Sequence, residues 1–402
     1  MKKIAALAVL LVGTGFAAPW TLRSAPADAK AIDALLRAAV EQQRVPVAVA
    51  MVADAKGVIY ERAEGVAKDA IFSIASMTKP ITSVAVLQLV EAGRIRLDEP
   101  AASYAPELGA IKVLDNGTLR PPKTPVTVRH LLTHTAGFSY EFMNKTLFDL
   151  VGKKELPSMM SGTEEFLKAP LLFDPGTRWE YGISTDWLGR IVERVSGQTL
   201  EAYFREKIFT PLGMPDSFFI VPAEKRSRVV SLYQRQPDGS LQAQPAQAPK
   251  PVGFFSGGGG LFSTASDYLR FVRAMMAGGQ LDGKRILSQE SVGMAGRNQI
   301  ADLSTRPFPS LIPQLATDGA TLTGSLDKFG LGFALNSTTS GTPRGANTLA
   351  WLGIFNTFFW IDREKQVGAV LFSHMLPGLD PGPKQLLEDF DRAVYAWQAG
   401  RK

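Results

Sequence analysis

The chain has no cysteine in its 402 residues. That excludes disulfides, a thiol nucleophile, thiolate metal sites and a lipidated cysteine anchor. It leaves the compartment open, because exported proteins need not carry disulfides. Histidine is nearly as scarce, with three in all: His130, His134 and His374. A serine–histidine–aspartate triad therefore has few candidates. His130 and His134 are spaced four apart, but Leu131 stands where a zinc protease needs glutamate, so packing or capping is the simpler reading. There is no G-x-S-x-G turn. Gly278 to Lys284 approaches a phosphate-binding loop, yet Arg285 follows where serine or threonine is required. Nothing points to a metal or nucleotide cofactor. The net charge is +6. Without Met1 to Ala27, which holds Lys2, Lys3, Arg23 and no acid, it is +3. No lysine- or arginine-rich run of nucleic-acid-binding type is present, so no nucleic-acid partner is expected.

What remains is ordinary globular composition, 45% hydrophobic and 20% charged. Lys2 and Lys3 followed by the apolar run Ile4 to Val12 read as a signal peptide, about residues 1–27, and imply a periplasmic or secreted protein. The run is short for a membrane span, and no other segment approaches that length. Helical spacing over Ala29 to Gln43 precedes two strands, Pro46 to Ala53 and Val58 to Ala63, joined at the Lys56-Gly57 turn. Between Arg94 and Lys250 helical segments alternate with proline- and glycine-containing loops. Expected there are helices from Val128 to His134 capped by Thr127, one capped by Ser184 or Thr185 and running to about Val195, and one from Leu200 to Phe209 capped by Thr199 and stopped by Pro211. Gln242 to Lys250 reads as an exposed loop, and Thr264 caps a helix to about Ala277. Strand texture returns over Leu331 to Asn336, Thr348 to Leu352, Asn356 to Ile361 and Val367 to Phe372. A last helix spans Lys384 to Trp397. Strands at both ends with helices between predict an α/β (α+β) fold with an antiparallel sheet. One α/β domain would form from 28–92 and 265–402, with a mostly helical domain, 93–264, inserted.

Within this layout Ser76 stands out. A β-like run, Ala70 to Ile74, ends just before it, and an apolar helix, Ile81 to Ala92, follows. Lys79 lies three residues on, so in a first helical turn the two side chains share a face. The lysine can then serve as base to the hydroxyl, the arrangement of an S-x-x-K acyl-transfer site. The pattern alone is weak, since about one chance match is expected in a chain this long. Ser325 to Lys328 is a second match, among Thr323, Gly324 and Gly330, and reads as turn chemistry. Tyr181, after the Asp174-Pro175-Gly176 turn and before a helix, can project from its loop or wedge beneath it.

These segments together resemble the serine β-lactamase and penicillin-binding-protein superfamily, and most of all its class C β-lactamase-like carboxylesterases, the family VIII esterases. The resemblance runs from about Arg44 to Pro377. It rests on Ser76-Met77-Thr78-Lys79, the stretch Val128 to Gly137, Asp174 to Thr177 running into Tyr181, the glycines Gly257 to Gly260, and Trp351-Leu352-Gly353. It implies a β-lactamase/transpeptidase-like fold and a serine carboxylesterase. Ser76 would be the nucleophile and Lys79 and Tyr181 the acid/base pair. The backbone N–H groups of Ser76 and Ile354 would form the oxyanion hole. Two positions depart from the β-lactamase pattern. Ile183 replaces an asparagine two residues after the tyrosine, and Trp351, Leu352 and Gly353 replace Lys-Thr-Gly. Losing that cation removes a charge-assisted contact to a substrate carboxylate, which implies uncharged, short-chain esters as the small-molecule substrate. Leu352 is bulkier than the glycine usual in the esterases and bears on substrate size. The alternatives left open are a β-lactamase or D-Ala-type peptidase, acyl transfer to an alcohol or amine, and a non-catalytic binding module.

Overall fold

Two valine-rich runs from opposite ends of the chain lie side by side. β1 (Ala48–Asp54) pairs antiparallel with a strand that comes more than three hundred residues later, Val367–Phe372, in the register Val49↔Phe372 and Met51↔Val370. Both are buried almost throughout, which is why they read as continuous apolar runs without alternation. The computed structural model describes residues 29–245, 253–321, 326–339 and 341–401. The expected signal peptide lies outside these residues.

Around this pair the sheet grows to seven strands. β2 is Gly57–Glu64, β3 Leu326–Phe329, β4 Ala334–Asn336, β5 Leu349–Gly353, β6 Thr357–Asp362 and β7 Val367–Phe372, in the order β3-β4-β5-β6-β7-β1-β2. All pairings are antiparallel. The expected hairpin and four late strands are therefore present, with β3 added at one edge. β3 carries the second S-x-x-K lysine. Lys328 Nζ donates to the carbonyls of Ala301 (3.1 Å) and Leu303 (2.8 Å), so it ties a loop to a sheet edge. Ser325 lies outside the described residues.

Helices cover both faces. α1 (Lys30–Glu41) and α6 (Pro381–Gly400) pack together on one side, where Phe390 meets Trp360 of β6. α5 (Ala265–Met276), capped by Thr264 as expected, lies on the other side, where Tyr268 meets Phe359 of the same strand. Neighbouring residues of a strand face opposite ways, so one strand serves both layers. α2 (Thr78–Glu91) runs against α4 (Ser184–Ser196). α2 is buried nearly all round, as its unbroken apolar content requires, and it ends at Gly93 with φ +68°. No helix among the described residues is long and apolar enough to cross a membrane.

Several boundaries differ from the expectations. α2 starts at Thr78, ahead of Ile81, because Pro80 is tolerated in a first turn, where no intrahelical N–H bond is needed. The strand before it shrinks to Phe72–Ser73, paired with Phe262–Ser263. α3 (Val128–Leu132) stops short of His134, whose φ is +56°. α4 starts at Ser184 but with no side-chain cap. The helix from Leu200 does not stop at Pro211. It widens to a π-turn over Arg205–Phe209, runs on through Thr210–Leu212, and ends at Gly213 with φ +63°. Such widening is a recognised irregularity within helices. Leu241–Ala243 forms a short strand with Tyr233–Arg235, so the expected loop begins later than Gln242, and 246–252 lie outside the described residues.

Candidate active site

Ser76 sits in a 3₁₀ turn, Ala75–Met77, that leads directly into α2. The preceding Ala75 has φ +43°, a conformation that costs a non-glycine residue about 1–3 kcal/mol and persists only where its surroundings enforce it. Thr78 Oγ1 donates to Ala75 O (2.7 Å) and accepts from Leu261 N (3.1 Å). Tyr268 of α5 donates to Met77 O at 2.8 Å, and Ile74 N donates to Leu261 O at 3.0 Å. The turn is thus clamped from the glycine-rich segment and from α5.

Lys79 is 2% exposed and has three oxygen neighbours: Gly258 O at 2.7 Å, the Tyr140 hydroxyl at 2.8 Å and Ser76 Oγ at 3.2 Å. An ammonium has three N–H donors, one for each. Lys79 Nζ also lies 4.7 Å from the centre of the Tyr181 ring. The Tyr181 hydroxyl is 2.7 Å from Ser76 Oγ, across 105 residues of sequence. Ser76, Lys79 and Tyr181 are thus brought together.

Two buried groups that sequence reasoning missed complete the cluster. The Tyr140 hydroxyl accepts from Lys79, and its ring lies edge-on to that of Tyr181 at 5.2 Å. Burial pushes its phenol well above the ordinary range, with the neighbouring Tyr181 and Asp186 adding to the shift, so it remains a hydrogen-bond donor. Its only signal was its place three residues after Gly137. Asp186, in the first turn of α4, accepts from Ser256 Oγ (2.6 Å) and from Gly258 N (3.0 Å). Burial raises its carboxyl, and the Lys79 charge and these two hydrogen bonds oppose the rise.

The wall beside Tyr181 is aromatic. Its ring centre lies 5.0 Å from His134, 5.1 Å from Trp351 and 5.5 Å from Phe308. Trp351 also meets Phe329 at 5.4 Å. β4 pairs with β5 only at Leu349 and Ala350, which leaves the Trp351–Gly353 edge of β5 unpaired on that side. Gly353 runs so close to Ile74 that a Cβ there would stand 2.4 Å from Ile74 O. This brings Ile354, next along the chain, near the turn that carries Ser76. Leu352 alternates to the opposite face of β5 from Trp351 and is half-buried. Ile183 is buried just before α4 and lines a small cavity with Tyr140, Leu147 and Phe166.

His130 caps α3. Its N–H donates to Thr127 Oγ1, and its Nδ1 accepts from Thr127 N, each at 3.2 Å. This is a capping box with histidine in the glutamate's place. His374 packs against Phe355 and Phe72, and burial lowers it to about 4. Burial, with the Lys79 charge, also holds His134 well below the usual range.

A model of the Beta-lactamase family matches residues 32–393. The chain belongs to the β-lactamase family. It is 29% identical over 401 residues to esterase EstB of Burkholderia gladioli, covering 91% of this chain and 94% of that one. It is 33% identical over 380 residues to the lovastatin esterase of Penicillium rubens, covering 84% and 92%. Among solved structures, unliganded simvastatin synthase from Aspergillus terreus superposes with a TM-score of 0.78 at 28% identity, over 92% of this chain and 98% of that one. The fold is accordingly the β-lactamase/transpeptidase-like one, and the chain is an enzyme of a serine hydrolase family.

Proposed function

We propose that this β-lactamase-family enzyme is a serine carboxylesterase that hydrolyses short-chain, uncharged esters through an acyl-enzyme on Ser76. The observation that carries the reading is one serine oxygen within reach of both the Tyr181 hydroxyl and Lys79 Nζ, beside a wall of aromatic rings. Its relatives named as esterases are consistent with that chemistry.

Lys79 Nζ has an oxygen neighbour for each of its three N–H donors, which leaves Tyr181 as the general base that takes the Ser76 proton. Ser76 Oγ bonds to the ester carbonyl carbon. The oxyanion is held by the N–H groups of Ser76 and Ile354, each donor worth roughly 3–4 kcal/mol. The tetrahedral species collapses, the C–O bond to the alcohol breaks, and Tyr181 returns the proton to the departing alkoxide. A water molecule then repeats the sequence: it gives a proton to Tyr181 and its oxygen to the acyl carbon, and Ser76 is restored. Trp351, Leu352, Gly353 and Ile183 form the substrate surroundings in this reading. Trp351 offers apolar surface and an indole in place of a cation, which disfavours a carboxylate-bearing β-lactam.

The same reading includes export by the 1–27 segment, and an α/β domain of 28–92 with 265–402 carrying 93–264 as an insertion. Paired kinetics on p-nitrophenyl butyrate and nitrocefin, for wild type and Ser76→Ala, test the activity. Ester turnover that vanishes in the variant is expected. Full retention would remove Ser76 from the mechanism, and nitrocefin hydrolysis as efficient as ester hydrolysis would replace the substrate assignment with a β-lactamase.

A further inference from the structure

Asp186 is a buried carboxylate, 2% exposed, that the steps above do not use. It stands five residues after Tyr181 in the first turn of α4, where the helix dipole favours a negative charge. Its hydrogen-bond donors, Ser256 Oγ and Gly258 N, both come from the glycine-rich segment. The other end of the Gly258 residue receives Lys79 Nζ at 2.7 Å. Gly258 thus has Asp186 on its N–H and Lys79 on its carbonyl. The fit leaves no slack. A Cβ on Gly258 would stand 2.4 Å from Asp186 Oδ2, and one on Gly257 would stand 2.8 Å from Thr185 O. Thr82 of α2 also holds this segment, donating to Gly257 O at 2.7 Å.

We propose that Asp186 is a positioning residue for Lys79: its carboxylate sets the orientation of Gly258, whose carbonyl holds Lys79 Nζ against Ser76 and Tyr140. The inference rests on Ser76 being the nucleophile. A hydrogen bond accepted from a residue's N–H fixes that residue's rotation, and a lysine on four flexible carbons is directed by the acceptors that surround it. Without Asp186, Gly258 has no side chain of its own to hold its orientation. Lys79 then loses the aim of one of its three acceptors.

The test is the second-order rate at which a fluorophosphonate probe labels Ser76, normalised to titratable sites, in wild type, Asp186→Ala and Asp186→Asn. This readout does not depend on which acyl substrate is natural. The alanine variant is expected to label about tenfold more slowly or worse, since small misplacements of a catalytic group are costly. The asparagine variant keeps an acceptor oxygen for Ser256 and Gly258 and is expected to recover most of the rate. If the alanine chain does not fold, Gly258→Ala displaces the same carboxylate and is expected to label as slowly. A wild-type rate in Asp186→Ala, or in a folded Gly258→Ala, overturns the inference, as does an asparagine variant with no recovery. A wild type that labels elsewhere than Ser76, or not at all, overturns the nucleophile assignment, and this inference with it.

Discussion

Replacing Tyr181 by phenylalanine deletes one oxygen and keeps a ring that five groups surround. His134, Trp351, Tyr140 and Phe308 lie 5.0, 5.1, 5.2 and 5.5 Å from the ring centre, and Lys79 Nζ lies 4.7 Å from it. The packing that holds the site therefore survives. What is lost is the 2.7 Å contact with Ser76 Oγ. Such a bond contributes about 1 kcal/mol to stability, so the folded state is expected to weaken by ~1 kcal/mol. The chemical step should suffer more. A positioned acid/base group supplies about 10²–10⁴ in rate, equal to ~3–5 kcal/mol of barrier. Stopped-flow kinetics on p-nitrophenyl butyrate should show kcat reduced by that factor, while a thermal melt shows a folded chain. Lys79 is 3.2 Å from the same oxygen and is the rival base. A folded Tyr181→Phe enzyme whose kcat stays within about threefold of wild type would refute the role given to Tyr181 and move the first proton transfer to Lys79.

Gly353→Ala places a methyl group 2.4 Å from both Ile74 O and Thr357 Oγ1, so β5 must move away from the nucleophile turn. Loss of the Ile354 donor should then lower kcat by about 10²–10³; an alanine variant with full activity would take Ile354 out of the oxyanion hole. Asp267, buried and raised by desolvation from 3.8 to about 7, accepts from Asp216 N and Ser217 Oγ. Between those two values the unfolded chain has released the proton that the folded chain still holds, so stability falls as pH rises and levels above about 7, by at most ~4 kcal/mol. Asp267→Asn keeps an acceptor oxygen and should flatten that slope in denaturant titrations at several pH values; an unchanged slope would show that Asp267 is not its source.

Much of the framework was legible because its signals are local. Ile81, Val84, Val86, Leu87 and Leu89 announced a core helix, and α2 is buried on nearly every side. Thr127, Thr199 and Thr264 each accept the capping hydrogen bond expected of them, because a cap is decided within one turn. Ser184 failed as a cap because α4 starts at that residue, and its hydroxyl is buried without a partner. Pro211 misled for a related reason. Its missing N–H and crowding count against a regular helix, but the π-turn before it accommodates the residue. His134 was placed at the end of a helix, yet its left-handed backbone sends the chain back past Glu180, whose N–H donates to His134 O at 2.9 Å.

By itself the sequence determined the runs that become strands, the helix that starts at the Ser76 turn, and the exclusion of thiol and disulfide chemistry. Each depends on residues a few positions apart, or on composition alone. Tertiary structure decided which side chains share the serine. Tyr181 is 105 residues from Ser76, Tyr140 is 61 from Lys79, and Gly258 is 179 from it. No periodicity encodes those separations. They follow from the strand register that brings β5 against Ile74, and from the close packing of α2, α4 and the glycine-rich segment, where a single added methyl group would not fit.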